Sequence, residues 1–118
     1  MKKFIAVFTG SENSENHKAW EKLSPAEREK REKEGMAAWH KWVKDHEKSI
    51  VDVGAPLGST LLVNKKGISP SENNLCAYTI VKANSMEEAA KIFLNHPHFT
   101  IFPGIGIEVM DCLDIPGL

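Results

Sequence analysis

The apolar residues of this chain recur with a period of two in some segments and near 3.6 in others, which predicts a mixture of strands and helices. Residues 3–9 (KFIAVFT) are apolar on both alternating faces, a pattern typical of a central strand that is covered on two sides. Residues 75–82 (LCAYTIVK) predict a second strand of this kind, and residues 104–112 (GIGIEVMDC) predict a last one.

A long helix is predicted from Pro25 to about Lys48. It begins at a capping box, in which the Ser24 hydroxyl and the Glu27 carboxylate each accept a backbone N–H of the first turn. Charges surround the first half of this helix, so the second half is expected to pack against the sheet. The residues on the predicted sheet-facing stripe are Met36, Trp39, His40, Val43, Glu47 and Ile50, with Trp42 and His46 on its flank.

A shorter helix is predicted between the last two strands. Ser85 and Glu88 form its capping box, and from Met86 the apolar residues recur at the spacing of one buried helical stripe. The residue before Pro97 is disfavoured in the helical conformation, so the helix is predicted to end near Asn95.

The other segments are rich in turn-forming residues. Residues 10–23 are polar and predict a loop, which Trp20, their one large apolar residue, would pin against the body. Residues 50–54 and 59–64 predict two short strands that are separated by a turn or bulge. Residues 68–74 contain proline, serine and asparagine and predict a mobile surface loop.

The predicted order is therefore strand, helix, a pair of short strands, strand, helix and strand. This order predicts one α+β domain over residues 1–118, a ferredoxin-like sandwich with two helices on one face of an antiparallel sheet. Two helices cover only one face, although the first strand is apolar on both. We therefore expect a homodimer in which the bare faces of two sheets pack together.

Charge and cysteine content exclude several classes of function. The chain has 15 Lys and Arg against 16 Asp and Glu, so no charge excess favours a nucleic-acid or membrane partner. There is no predicted signal peptide and no predicted transmembrane segment. The two cysteines, Cys76 and Cys112, are not in a CxxC motif, and a reducing cytoplasm is the predicted location.

Three parts of the chain together resemble the YCII-related family of small dimeric α+β-barrel proteins. They are residues 3–10 (KFIAVFTG), residues 35–58 (GMAAWHKWVKDHEKSIVDVGAPLG), and residues 77–99 (AYTIVKANSMEEAAKIFLNHPHF) together with residues 104–109 (GIGIEV). The resemblance implies the ferredoxin-like fold and a dimeric barrel. For some members it also implies a histidine on the first long helix and an aspartate after the first strand. Here Ala37 falls at the place of that histidine, and no aspartate follows the first strand.

Histidines at other positions of the chain offer a different source of acid–base chemistry. His40 lies on the predicted sheet-facing stripe, where an imidazole could exchange protons with a ligand between helix and sheet. Asp52, Tyr78 and Glu108 are the candidates to orient His40 from the sheet. The function predicted is therefore a small cofactor-free enzyme that does acid–base chemistry on a small molecule. The alternative is a non-catalytic dimeric module, either ligand-binding or structural, in which His40 is a packed core residue.

A ligand in this cavity would meet residues of the helix and of the segment after the second helix. The predicted pocket residues are Trp39, Val43, Glu47 and His98. His96 and His98 flank a proline but have no visible third ligand, so no metal site is predicted. Gly104 and Gly106 are followed by no helix and do not form a phosphate loop, so no cofactor is predicted.

Overall fold

The computed structural model describes residues 1–118 and contains six strands and four helices. Their bounds in chain order are β1 Lys2–Thr9, α1 Glu15–Glu21, α2 Pro25–Asp45, β2 Ile50–Pro56, β3 Thr60–Asn64, β4 Gly67–Ser71, β5 Leu75–Ala83, α3 Met86–Lys91, α4 Pro97–Thr100 and β6 Gly106–Asp111. None of the helices is both long enough and apolar enough to cross a membrane.

Four strands form one sheet in the order β2-β5-β1-β6, and every neighbouring pair is antiparallel. The strands β1 and β5 are central, as their two-sided apolarity predicted. With α1 and α2 between β1 and β2, and α3 and α4 between β5 and β6, this is the ferredoxin-like α+β arrangement that the element order predicted, in which α2 and α3 are the two predicted helices. The strands β3 and β4, which lie between β2 and β5 in the sequence, form a separate two-stranded hairpin.

The two faces of the sheet differ because neighbouring residues of a strand point to opposite sides. Phe4, Ala6 and Phe8 of β1 are almost fully buried on the face that α2 and α3 cover. Ile5 and Val7 lie on the other face and are only partly buried. Directly paired residues of antiparallel strands have their side chains on the same face of the sheet. The partners of each β1 residue on β5 and β6 can therefore be assigned to the same face as that residue.

The long helix packs in part as predicted, because Trp39, Val43 and Ile50 of the stripe lie against the core, but its packed side is shifted toward Trp42. Trp42, expected on the flank, is the buried residue of its second half and lies against Phe93, with ring centroids 5.2 Å apart. Met36, expected to face the sheet, is 47% exposed. Trp42 also donates from Nε1 to the Ile92 carbonyl across 2.9 Å, so a hydrogen bond to the α3 end accompanies this rotation.

Two segments that were predicted as loops are in fact regular elements. Residues 15–21 form α1, because the Ser14 hydroxyl caps its first turn and Trp20 packs on Phe102 with ring centroids 6.0 Å apart. Residues 67–71 form β4 by pairing with β3. The helices also end before their predicted limits, α2 at Asp45 and α3 at Lys91, and α4 begins at Pro97.

Candidate functional site

A cavity of about 570 Å³ lies between α2 and the β2–β5 side of the sheet. Nine of its thirteen lining residues are hydrophobic, and none is an acid, a lysine or an arginine. The lining residues are Met36, Trp39, His40, Val43, Val53, Gly54, Ala55, Pro56, Cys76, Ala77, Tyr78, His98 and Phe102. The volume lies in the range of small-molecule sites, so the cavity can hold a small, largely apolar ligand.

An irregularity in β2 shapes one wall of the cavity. The register with β5 shifts between Asp52 and Ala55, and Gly54 has a φ of +74°. A Cβ atom on Gly54 would lie 1.8 Å from the Tyr78 carbonyl oxygen, so a glycine is required at this approach. The Asp52 carboxylate accepts the Gly54 N–H across 2.8 Å and holds the turn.

His98 is a polar residue of the cavity wall whose ring is fixed by a hydrogen bond to the backbone. Its Nε2 lies 2.8 Å from the carbonyl oxygen of Thr9, which can only accept a hydrogen bond. Nε2 therefore carries the proton, and in the neutral ring Nδ1 has a free lone pair. His98 Nδ1 has no hydrogen-bond partner within the protein and is not among the sealed, unpaired polar atoms, so it is open to solvent on a residue that lines the cavity.

The surroundings of His98 keep the ring neutral and in place. Burial lowers the pKa of His98 below its ordinary value, although the hydrogen bond to the Thr9 carbonyl partly opposes this effect. Gly104 lies against the ring so closely that a Cβ atom there would be 2.3 Å from His98 Nε2. The Gly104 N–H also donates to the His98 carbonyl across 2.9 Å. The site therefore presents an unprotonated, fixed imidazole nitrogen to a ligand.

His96 has a structural environment instead. It is fully buried, and its Nδ1 accepts the backbone N–H of His98 across 3.0 Å, which caps α4. Nε2 has no hydrogen-bond partner, and the ring lies edge-on to Trp39 with centroids 4.6 Å apart. Burial, with a smaller effect of the nearby His98 and His46 rings, lowers the pKa of His96 to about 3. His96 is thus a neutral core residue.

The predicted catalytic residues do not meet at one point. His40 and Tyr78 both line the cavity, and His40 is exposed. The register pairs Tyr78 with Val7 and Val7 with Glu108, so these three residues occupy matching positions of β5, β1 and β6, and of the three only Tyr78 lines the cavity. The Tyr78 hydroxyl reaches Asp52 Oδ2 at 3.4 Å, and neither Asp52 nor Glu108 lines the cavity. The expected grouping of His40 with these carboxylates is therefore not formed.

Three of the predicted pocket residues, Trp39, Val43 and His98, line the cavity, and Glu47 does not. The sequence placed His98 in the pocket but assigned it no acid–base role, because His-Pro-His also fitted a helix stop. A histidine directly after a proline at a helix start was the available signal, since such a position holds the backbone rigidly.

Other reactive groups near the site are limited. Burial raises the pKa of the Cys76 thiol in the cavity wall, so at neutral pH this group is protonated and a weak nucleophile. No cluster of three or more histidine, cysteine, aspartate or glutamate side chains could hold a metal ion. Among the side chains that line the cavity, the histidines are therefore the best suited to acid–base chemistry.

Comparison with known proteins supports the fold. No family model and no curated protein sequence matches this chain. Among solved structures, the chain is similar to a 5-chloro-2-hydroxyhydroquinone dehydrochlorinase from Burkholderia phenoliruptrix, in a complex with 2,5-dihydroxybenzoquinone. The TM-score is 0.55 at 15% sequence identity, and the match covers 94% of this chain and 93% of that chain. The two proteins share an α+β fold over nearly their whole length.

Proposed function

We propose that this protein is a small enzyme that moves a proton on a neutral, planar, hydroxyl-bearing molecule, with His98 as the general base. The observation that carries the proposal is the accessible Nδ1 of His98, on a ring whose tautomer is set by the Thr9 carbonyl. A general base needs this combination of a free lone pair and a fixed direction. Its lowered pKa keeps the base unprotonated at neutral pH.

The lining of the cavity supports this substrate class. It contains aromatic rings, among them Trp39 and Phe102, which suit a flat molecule. It contains no charged side chain of either sign, so an anionic or cationic substrate would lose its hydration without gaining a partner. The structural neighbour holds a hydroxylated quinone, and ring-hydroxylated aromatic molecules are therefore the first class to test.

The chemical step can be described with the residues of the cavity. His98 Nδ1 accepts a proton from a hydroxyl group or an activated carbon of the substrate. The ring then carries a positive charge, and the Thr9 carbonyl stabilises it through the existing 2.8 Å hydrogen bond. His40, exposed at the margin of the same cavity, is the candidate to exchange protons with water.

The family, the assembly and the location belong to the same proposal. The fold shared with the dehydrochlorinase supports membership in the YCII-related family, which the sequence resembles. A homodimer is proposed because the molecule is only 19 Å thick, which corresponds to one helical layer on one sheet. Ile5, Val7 and Ile80 lie on the uncovered face. Both cysteines are free, which supports a cytoplasmic location.

Hydrogen–deuterium exchange tests the proposed reaction. Hydroquinone and 2-hydroxyhydroquinone are incubated with the protein in D₂O, and deuterium at the ring carbons is followed by NMR against protein-free samples. We expect exchange to be accelerated by the parent and lost in His98→Ala. His17→Ala is the matched control, because His17 lies outside the cavity and pairs with Glu21.

The same experiment separates His98 from His40. His40→Ala should retain part of the exchange if His40 only returns protons to water, and should abolish it if His40 is itself the base. An unchanged rate in His98→Ala would exclude His98 as the base. Binding of these molecules without any exchange would instead favour the alternative function, a non-catalytic ligand-binding module.

A further inference from the structure

A second cavity of about 340 Å³ lies between α1, the first half of α2 and the segment after α4. Trp20, Leu23, Phe99 and Phe102 are among its apolar lining residues. Phe102 also lines the main cavity. The second cavity differs from the first in one respect that matters chemically, because it is lined by an arginine.

That arginine, Arg31, has no carboxylate partner. Glu27 and Glu34 lie about one helical turn away, yet neither forms an ion pair with it. Instead Arg31 reaches across to the Ile101 carbonyl, which accepts one of its N–H groups across 3.0 Å. Its other N–H groups make no hydrogen bond within the protein and are not sealed from solvent. A half-buried guanidinium beside aromatic walls is thus left with free donors.

We propose that the second cavity binds a small aromatic carboxylate, with the carboxylate on Arg31 and the ring against the aromatic wall that Trp20 and Phe102 form. Guanidinium and carboxylate groups match in a planar, two-bond geometry, and apolar walls strengthen that attraction. The ring centroids of Trp20 and Phe102 are 6.0 Å apart and tilted by 41°, so the two rings pack against each other, and both line this cavity. This site is independent of His98 and of the reaction proposed for it.

The other polar groups of the cavity favour a carboxylate over a phosphate. Asn16 Nδ2 already donates to the Gly104 carbonyl across 3.0 Å. The Thr100 hydroxyl already donates to the His96 carbonyl across 3.0 Å. Arg31 is the only cation among the residues that line this cavity. Its single positive charge matches the single negative charge of a carboxylate better than the two charges of a phosphate dianion.

The test uses phenylacetate and its uncharged isostere phenylacetamide. Each is titrated into the full-length protein while the indole N–H signals are followed by NMR, with the Trp20 signal assigned from Trp20→Phe. We expect phenylacetate to shift the Trp20 signal in a saturable way and to leave the signal of buried Trp42 almost unchanged. Phenylacetamide should bind roughly tenfold more weakly or worse, since it lacks the charge that Arg31 recognises.

Variants of the helix decide whether Arg31 is responsible. Arg31→Met should abolish the shift of the Trp20 signal. Arg31→Lys should keep a weaker shift, because it keeps the charge. Lys30→Met removes an equal charge from the exposed neighbouring residue and should bind phenylacetate as the parent does. His98→Ala should also bind normally. Equal binding of phenylacetamide, parent-like binding in Arg31→Met, or no saturable shift at millimolar phenylacetate would each overturn the proposal. Melting temperatures of all variants show whether a loss reflects unfolding.

Discussion

His98 donates a hydrogen bond from Nε2 to the carbonyl oxygen of Thr9, 2.8 Å away and 89 residues earlier in the chain. Thr9 ends the central strand β1, where the register with β5 shifts after Phe8. The Thr9 carbonyl oxygen also accepts the Ile105 N–H across 2.9 Å, and its second lone pair accepts the imidazole N–H. A backbone carbonyl at the end of β1 thus sets the tautomer of the proposed catalytic base.

The pH dependence of turnover should report on this ring. The general base must be unprotonated, and burial lowers the pKa of His98, so the rate should rise with pH and reach its plateau early. We expect the midpoint of that rise to lie below the ordinary histidine value of about 6.5. A pH–rate profile of ring deuteration at saturating hydroquinone measures it. A midpoint above the ordinary value would contradict the assignment of His98.

Replacing Gly104 by alanine should disturb His98 without changing its chemistry. The new Cβ would lie 2.3–2.5 Å from atoms of the ring, so either the ring or the backbone must move. We expect a loss of about 1–3 kcal/mol in the free energy of unfolding, as for other overpacked sites, together with a lower exchange rate.

Gly106→Ala is the control for this substitution, because a Cβ at Gly106 would meet nothing within 4 Å. Its effect on stability should stay within about 0.5 kcal/mol. Urea unfolding of the two variants and the parent makes the comparison. Equal stability of the Gly104 and Gly106 variants would show that the His98 ring is not tightly held.

Acid should destabilise the fold through His96. Burial lowers its pKa in the folded state to about 3, whereas the unfolded chain has the ordinary value of about 6.5. At pH values between these two pKa values, the unfolded chain binds more protons than the folded protein. The contribution of His96 to the free energy of unfolding is therefore fully present above the ordinary pKa and decreases as the pH falls toward the lower one. The slope from His96 alone is at most about 1.4 kcal/mol per pH unit.

His96→Asn tests this explanation, since asparagine can still cap α4 but does not titrate. Its stability at neutral pH should be lower than that of the parent, because a buried ring is lost. Its stability should nevertheless depend less on pH across the window between the two pKa values. Urea unfolding at several pH values measures both quantities, and parallel pH curves for the two proteins would contradict the role of His96.

The proposed dimer predicts that sedimentation gives twice the chain mass of 13.1 kDa. Ile80 pairs with Ile5 on the uncovered sheet face, so Ile80→Lys should produce monomers by placing a charge in the interface. Leu61→Lys on the exposed β3–β4 hairpin is the control and should remain dimeric. A parent protein that sediments as a monomer would exclude the proposed pairing of sheets.

The sequence alone determined the elements that depend on local interactions. The capping box at Ser24 forms as predicted, because its two hydrogen bonds join residues three positions apart. The Ser85 hydroxyl also accepts the Glu88 N–H as predicted, whereas the Glu88 carboxylate accepts the Asn84 N–H instead of the Ser85 N–H. Pro97 begins α4 for a similarly local reason, although α3 already ends at Lys91. The alternation of β1 also indicated a central strand, since residues that are apolar on both faces avoid water only inside a sheet.

Tertiary contacts decided the elements whose sequences are locally ambiguous. Residues 15–21 are too few and too polar to form a stable helix alone, and their helix packs through Trp20 on Phe102 and is tied by Asn16 to the Gly104 carbonyl. The β4 strand exists because β3 offers it a partner. Neither contact leaves a periodic pattern in the segment itself.

The candidate site depended most on the tertiary structure. His40 satisfied the helical periodicity, yet a helix can rotate about its axis, and here Trp42 rather than Met36 turned inward. Glu108 alternated correctly along its strand, but it pairs with Val7 and does not line the cavity. The state of His98 is set by a carbonyl at the other end of the sequence. Local hydrogen bonds and hydrophobic period can be predicted from neighbouring residues, whereas helix rotation, sheet face and tautomer are fixed by partners that only folding brings together.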